Sequence, residues 1–258
     1  MPDPYVVARR RLIELLHWRG WLAEFPSVDA AIETLTQDKL NAILSEFHAF
    51  AGKPAADDEL ERRFCALPDR AALRTSICKW PHTKITWTLS GGLLPGVSER
   101  TTLDAFREAW ESWRRVCGIE PVYVQSPRPN VLSTTGAIDG PGRTLAWSEL
   151  PCGVQASATL TQKYDNREPW DADMLLAVPC HEIGHALGLD HLAAGNLLAP
   201  FYDSRIKAPQ AGDIAEAQKR YGPPIIVPPP PVEPGAEMVI RITNGVVTID
   251  GYKLVKIP

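Results

Sequence analysis

Three histidines at fixed offsets are the residues of this chain best suited to chemistry. They lie in the run His181-Glu182-Ile183-Gly184-His185-Ala186-Leu187-Gly188-Leu189-Asp190-His191. His181 and His185 are four apart, which on a helix stacks their imidazoles on one face. Two neutral imidazoles so placed suit Zn²⁺, which takes nitrogen ligands at about 2.0–2.1 Å in tetrahedral array. Glu182 follows the first ligand, where it can reach a metal-bound water without binding the metal. Gly188 lets the chain leave the helix and turn, because glycine tolerates φ > 0 at little cost. The turn can then bring His191 back as a third ligand. Three protein ligands leave the fourth position to water, as a catalytic rather than a structural zinc requires. An amphipathic core helix with surface histidines would not demand five residue types at set offsets.

The remaining composition bounds what surrounds this run. The chain has 258 residues, enough for one sizeable domain plus accessories. Its net charge of −4 gives no strongly basic surface, so nucleic acid is not an expected partner. No apolar run is long enough to span a membrane, and the N-terminus shows no signal peptide. Cys65, Cys78, Cys117, Cys152 and Cys180 are an odd set, so at least one thiol is unpaired within the chain. The set is compatible with one or two disulfides or with a reducing compartment, and spacing assigns no partners.

The elements that must position the histidines can be read in order. Residues 4–51 read as helices. Leu40, Ile43, Leu44 and Phe47 follow helical spacing, and Gly52 and Pro54 end that segment. Leu12, Leu15, Leu16 and Trp18 to Trp21 suggest an earlier helix, punctuated by Gly20 and Pro26. Asp57-Asp58-Glu59 reads as a solvated linker. Ile85 to Leu89 alternates and ends at Gly91-Gly92, a strand signal. Thr101 to Val116 is an amphipathic helix whose stripe of Leu103, Phe106, Trp110 and Trp113 is core. Pro121 to Val124 and Ala158 to Thr161 read as further strands. Pro179, two residues before His181, predicts a kink or a late start in the histidine helix. Pro223-Pro224 and Pro228 to Pro231 make residues 223–235 a stiff linker. Beyond it, Met238 to Ile242 and Val246 to Ile249 flank Asn244-Gly245, a hairpin turn signal, and Tyr252 to Val255 adds a third strand. This meander, 236–258, is too small to count on standing alone, and docking, self-pairing and surface anchoring all remain open for it.

The histidine run is the metzincin signature, and His185-Ala186-Leu187-Gly188-Leu189-Asp190-His191 resembles its matrix metalloproteinase (matrixin) form. Pro200-Phe201-Tyr202 and Gly212-Asp213-Ile214 through Tyr221-Gly222 resemble that family's later segments, so the likeness covers most of residues 1–222. It implies an α+β fold: a helical pro-domain over 1–72, similar also to peptidoglycan-binding modules, then a catalytic domain over 80–222. That catalytic domain would be a twisted mixed sheet with a long active-site helix.

The resemblance further implies a zinc endopeptidase with Glu182 as general base, acting on an extended peptide outside the cell. Arg62-Arg63-Phe64-Cys65-Ala66-Leu67-Pro68-Asp69 resembles the family's cysteine switch, in which the Cys65 thiolate would occupy the open zinc position. Phe64 stands where the family has arginine, so its Arg–Asp clamp would need Arg62 or Arg63 instead. Asp139, Gly140 and Gly142, with Asp165 and Glu168, resemble the family's structural Ca²⁺ loop, and surface acids in a turn are the bland alternative. Trp147 and Lys163 stand at the positions of the family's structural-zinc histidines, so that second zinc is expected to be absent. Leu145-Ala146 would form the rim strand that pairs with substrate, and Pro200 and Tyr202 would line the pocket after the scissile bond. Leu198 stands in place of the family's Met-turn methionine. Asp213 would accept the α-amino group freed by pro-domain removal. Two other readings fit the same residues: a cell-wall-binding protein with a silent zinc site, and an assembly protein that oligomerises through its meander.

Overall fold

A computed structural model describes residues 4–51, 78–91, 94–142, 144–152, 158–225, 240–243, 246–249 and 252–254. Cys65, most of the proline-rich linker and the Asn244-Gly245 turn lie outside the described residues. The chain divides into two units, Met1–Ile225 and Ile226–Pro258.

The first unit begins with three helices, α1 (Pro4–Trp18), α2 (Val28–Thr34) and α3 (Gln37–Ala51). They close around Ile13, Leu16, Trp21, Leu22, Leu40 and Phe47. Trp21 meets Phe47 and Phe50 edge-on at 5.6 and 5.5 Å, the geometry that opposes ring edge to ring face. The two outer helices follow the predicted spacing. The short α2 was not expected: Ser27 caps it by accepting the Ala30 N–H at 3.1 Å, and packing rather than length sustains its seven residues.

A five-stranded mixed sheet follows, made of β1 (Lys84–Gly91), β2 (Glu120–Tyr123), β3 (Val131–Gly136), β4 (Ala146–Ser148) and β5 (Leu160–Asp165). Its spatial order is β2-β1-β3-β5-β4. Only the β4–β5 pairing is antiparallel, with Ala146 opposite Tyr164 and Trp147 opposite Lys163. This is the α+β, mixed-sheet architecture expected for residues 80–222. β3, Val-Leu-Ser-Thr-Thr-Gly, was missed because half of it is hydroxyl residues. They are used inside the sheet: Ser133 Oγ donates to Gln162 Oε1 at 2.8 Å, and Thr134 Oγ1 to Gln162 O at 2.9 Å.

Two helices pack together beneath the sheet: α4 (Glu99–Arg114) and α5 (Ala172–Ala186). The α4 stripe is Thr102, Ala105, Phe106, Ala109, Trp110 and Trp113, all buried, while Leu103 packs at its margin. α5 carries the histidine run and is buried on every side from Val178 to Ala186. It neither starts late nor breaks at Pro179. It runs from its Asp171 N-cap, which accepts the Met174 N–H at 2.8 Å, straight through the proline. The hydrogen bond lost there costs a helix on the order of 3 kcal/mol, which dense burial on all faces offsets. A last helix, α6 (Ala211–Tyr221), closes this unit.

A disulfide joins Cys78, just before β1, to Cys152, just after β4, with Cα atoms 4.5 Å apart. Closing a loop of 74 residues stabilises by about 4 kcal/mol in the chain-entropy model. Cys117 and Cys180 are free and buried, and burial raises both thiols, Cys117 to about 12. Thiols held protonated in this way are inert.

The second unit is a three-stranded antiparallel sheet, β6 (Ile240–Thr243), β7 (Val246–Ile249) and β8 (Tyr252–Leu254). Its register, Thr243 opposite Val246 and Ile249 opposite Tyr252, leaves two residues for each turn, as a tight hairpin demands.

Candidate metal centre

The last turns of α5 and the loop that follows bring three imidazoles together. His181 and His185 are fully buried and His191 nearly so. Their ring centroids lie 4.6 Å (181–185), 4.8 Å (185–191) and 5.4 Å (181–191) apart. One nitrogen from each ring can be chosen so that all three lie within 4.8 Å of one another.

Neighbouring carbonyls fix the ring tautomers. His181 Nδ1 lies 2.7 Å from Leu197 O, and His185 Nδ1 lies 2.7 Å from Leu189 O. A carbonyl only accepts, so each Nδ1 carries the hydrogen and each Nε2 presents a lone pair. Those two Nε2 atoms face each other at 3.0 Å. Two lone pairs so close repel unless a cation lies against both. The donor set therefore fits a borderline-soft dication such as zinc, with the backbone contacts that orient metal-binding histidines. Burial, and then the neighbouring His185, hold the His181 pKa well below the ordinary imidazole value, so the ring stays neutral, as a ligand must.

The loop between His185 and α6 is held from several sides. Asp213 is fully buried at the start of α6. Its carboxylate accepts the N–H groups of Leu197 (2.7 Å), Leu198 (3.0 Å) and Gln210 (2.7 Å). Burial raises its pKa against the pull of those donors. Asp213 thus fixes the peptide whose carbonyl orients His181. Both of its oxygens accept from main-chain donors in this structure. Leu198 is buried under α5, where a Cβ on Gly184 would come within 2.8 Å of both Leu198 and Trp113. Leucine therefore fills the floor under the histidines.

Other residues secure α5 that its own sequence gives no sign of. Trp113 Nε1 donates to Cys180 O at 2.8 Å, one residue before His181. At the helix end, where carbonyls lack intrahelical partners, Trp80 Nε1 donates to Ala186 O (2.8 Å), Tyr221 Oη to Leu187 O (2.8 Å) and Arg220 Nε to Gly188 O (3.1 Å). Each donor is far away in the chain, so no local pattern could have found them. Gly188 turns the chain at φ +91°, and a Cβ there would lie 2.0 Å from Cys78 O. Gly188→Ala is expected to cost about 3 kcal/mol or more, from left-handed strain plus a clash with backbone. A denaturant titration reads that loss, and a fall under 1 kcal/mol would contradict the close approach.

The other candidate residues fall in four places. Glu182 is fully buried, one residue after His181. Leu145 and Ala146 are buried at β4, the last strand of the sheet order. Pro200 is buried and Tyr202 half-buried against the main core, with burial raising the Tyr202 hydroxyl to about 12. In the loop after β3, Asp165 Oδ2 accepts from Asp139 N (3.2 Å) and Gly140 N (3.1 Å). Glu168 accepts from Gly142 N through both oxygens (2.8 and 3.0 Å), and Asp139 accepts from Thr144 N (3.2 Å). Asp165 is fully buried and Glu168 nearly so. Among the described residues, the three histidines are the group whose ligand atoms already meet closely enough for one ion.

A mixed sheet backed by two helices, with three histidines from a helix and its following turn, is the arrangement that the metzincin signature implies. The comparisons with known proteins carry this one step further. Residues 79–222 match the matrixin family, Peptidase M10. The chain is 31% identical to human matrix metalloproteinase-16 over 179 residues, covering 59% of this chain and 29% of that protein. It is 27% identical to the mouse form over 259 residues, 81% of this chain and 42% of that one. It is 26% identical to pig interstitial collagenase over 219 residues, 77% and 45%. The chain belongs to the matrixin family, and it spans less than half the length of these relatives.

Proposed function

We propose that the protein is a zinc-dependent endopeptidase made as a latent precursor. The observation that carries this reading is the pair of buried Nε2 atoms facing each other at 3.0 Å, each held in that tautomer by a carbonyl, with His191 beside them. Zinc bound by His181, His185 and His191 would supply a Lewis acid for the scissile carbonyl and a water whose pKa falls toward about 7. Glu182 takes the proton as water attacks and passes it to the leaving amine. Its burial shields the carboxylate from competing solvent. β4 lies at the sheet edge and offers main-chain groups to an extended peptide. Pro200 and Tyr202 flank the pocket for the residue after the scissile bond. The decisive test is a peptide-library digest with zinc analysis, on the intact chain and on protein trimmed near residue 70. Cleavage confined to the trimmed form supports a latent protease. A trimmed, zinc-loaded, inert protein favours a wall-binding module.

Latency is assigned to Cys65, the only thiol in a segment resembling the cysteine switch. Cys65→Ala is expected to raise precursor activity at least about tenfold, since a thiolate is among the strongest zinc ligands. An unchanged rate removes Cys65 from that role. Trp147 and Lys163 are cross-strand partners at the family's structural-zinc positions. Neither side chain suits zinc, so one zinc per chain is the expected stoichiometry. The buried Asp165 and Glu168 with Asp139 support a Ca²⁺ in the loop after β3, because amide donors alone neutralise three carboxylates poorly. Added Ca²⁺ is then expected to raise the melting temperature by a few degrees, about 2–4 °C per kcal/mol gained. No shift at millimolar Ca²⁺ returns these residues to a plain turn. The Cys78–Cys152 bridge supports an oxidising, extracellular location.

A further inference from the structure

The helices of residues 4–51 do not merely precede the catalytic half. Arg19 is fully buried among them. Its guanidinium lies 5.1 Å from the ring of Phe47 in α3 and 4.8 Å from the ring of Phe201. The two rings are themselves 6.2 Å apart, edge to face. Phe201 sits between Pro200 and Tyr202, yet it packs into the N-terminal core while Tyr202 packs into the catalytic core. A main-chain bond fastens the same face: Ala194 N–H donates to Phe50 O at 2.7 Å.

We propose that Ala194 and Phe201 seat the N-terminal helices, latched by Arg19 against Phe47 and Phe201, and that this latch restrains the substrate wall without using the metal. The occupant is this chain's own helical segment, seated in the structure. A buried guanidinium between two aromatic faces is attracted to both, and burial strengthens the attraction over a surface contact. Because Phe201 is shared with the N-terminal core, the two residues flanking it cannot shift freely to admit a peptide while the helices are docked. This lock is separate from a thiolate on zinc, so removing Cys65 alone leaves it closed. The docking itself does not depend on the endopeptidase reading, although its inhibitory consequence does.

Arg19→Met keeps an unbranched stem and removes the charged guanidinium. Amide hydrogen exchange in the full chain is expected to be about tenfold faster at Ala194 in this variant, with circular dichroism reporting that the helices persist. Unchanged exchange at Ala194 overturns the latch. If the variant loses its helices, Phe201→Leu removes the ring from the other side and is read by the same Ala194 exchange, with the same two outcomes. In activity, the Cys65→Ala/Arg19→Met precursor is expected to cleave a peptide extending past the scissile bond about tenfold faster than Cys65→Ala alone, and equal rates overturn the inhibitory role. A trimmed chain that is inert would instead refute the endopeptidase reading, while Ala194 exchange still decides the docking.

Discussion

Glu182→Ala is expected to lower kcat of the trimmed protein about a thousandfold and to leave its zinc content unchanged. General acid–base groups contribute about 10²–10⁴-fold. Glu182 is fully buried and lies at the offset from His181 where a carboxylate meets a metal-bound water. Because it is not a ligand, the loss should fall on turnover rather than on metal affinity, and Glu182→Gln should behave in the same way. Rates on a quenched peptide and a zinc assay on the same samples check both halves. Cleavage that survives the substitution removes Glu182 as the base. Loss of zinc together with activity makes it part of the metal shell.

His191→Ala is expected to abolish activity and to weaken zinc binding by more than about a hundredfold. Altering outer-shell partners alone costs 10–100-fold in metal affinity, and a missing ligand should exceed that. Competition with a coloured chelator measures the affinity independently of turnover. The structure makes the effect local, since His191 follows the Gly188 turn and its neighbour Leu192 is held separately by a 2.8 Å bond from its N–H to Leu198 O. A variant that keeps zinc at native affinity would leave only His181 and His185 as protein ligands and would undo the three-histidine site.

The parts of this molecule that the sequence announces are those whose signal is local. The α4 stripe, the alternation in β1 and the four-residue spacing of His181 and His185 each follow from the period of one element, and Gly188 marks the turn before His191. Parts that depend on distant partners do not show. β3 hides its strand character in serine and threonine, whose hydroxyls find Gln162 only once β5 is alongside. Pro179 argues for a helix break, and only the dense surroundings of α5 override it. Asp213 is an acid near a helix start by sequence, and its work on the Leu197–Leu198 peptide follows from a close approach across the loop. The pairing of Cys78 with Cys152 rather than with another cysteine is a matter of three-dimensional proximity.

The Cys78–Cys152 bridge has one more consequence. The stretch between the two sulfurs contains several exposed loops, including the solvent-facing residues around Arg128 and Pro141. A single cut there opens the backbone but sheds no fragment, because the sulfur link still joins the two pieces. A cut in that region would then pass unseen on an electrophoresis gel run without thiol, and a band of full apparent size could already consist of two chains.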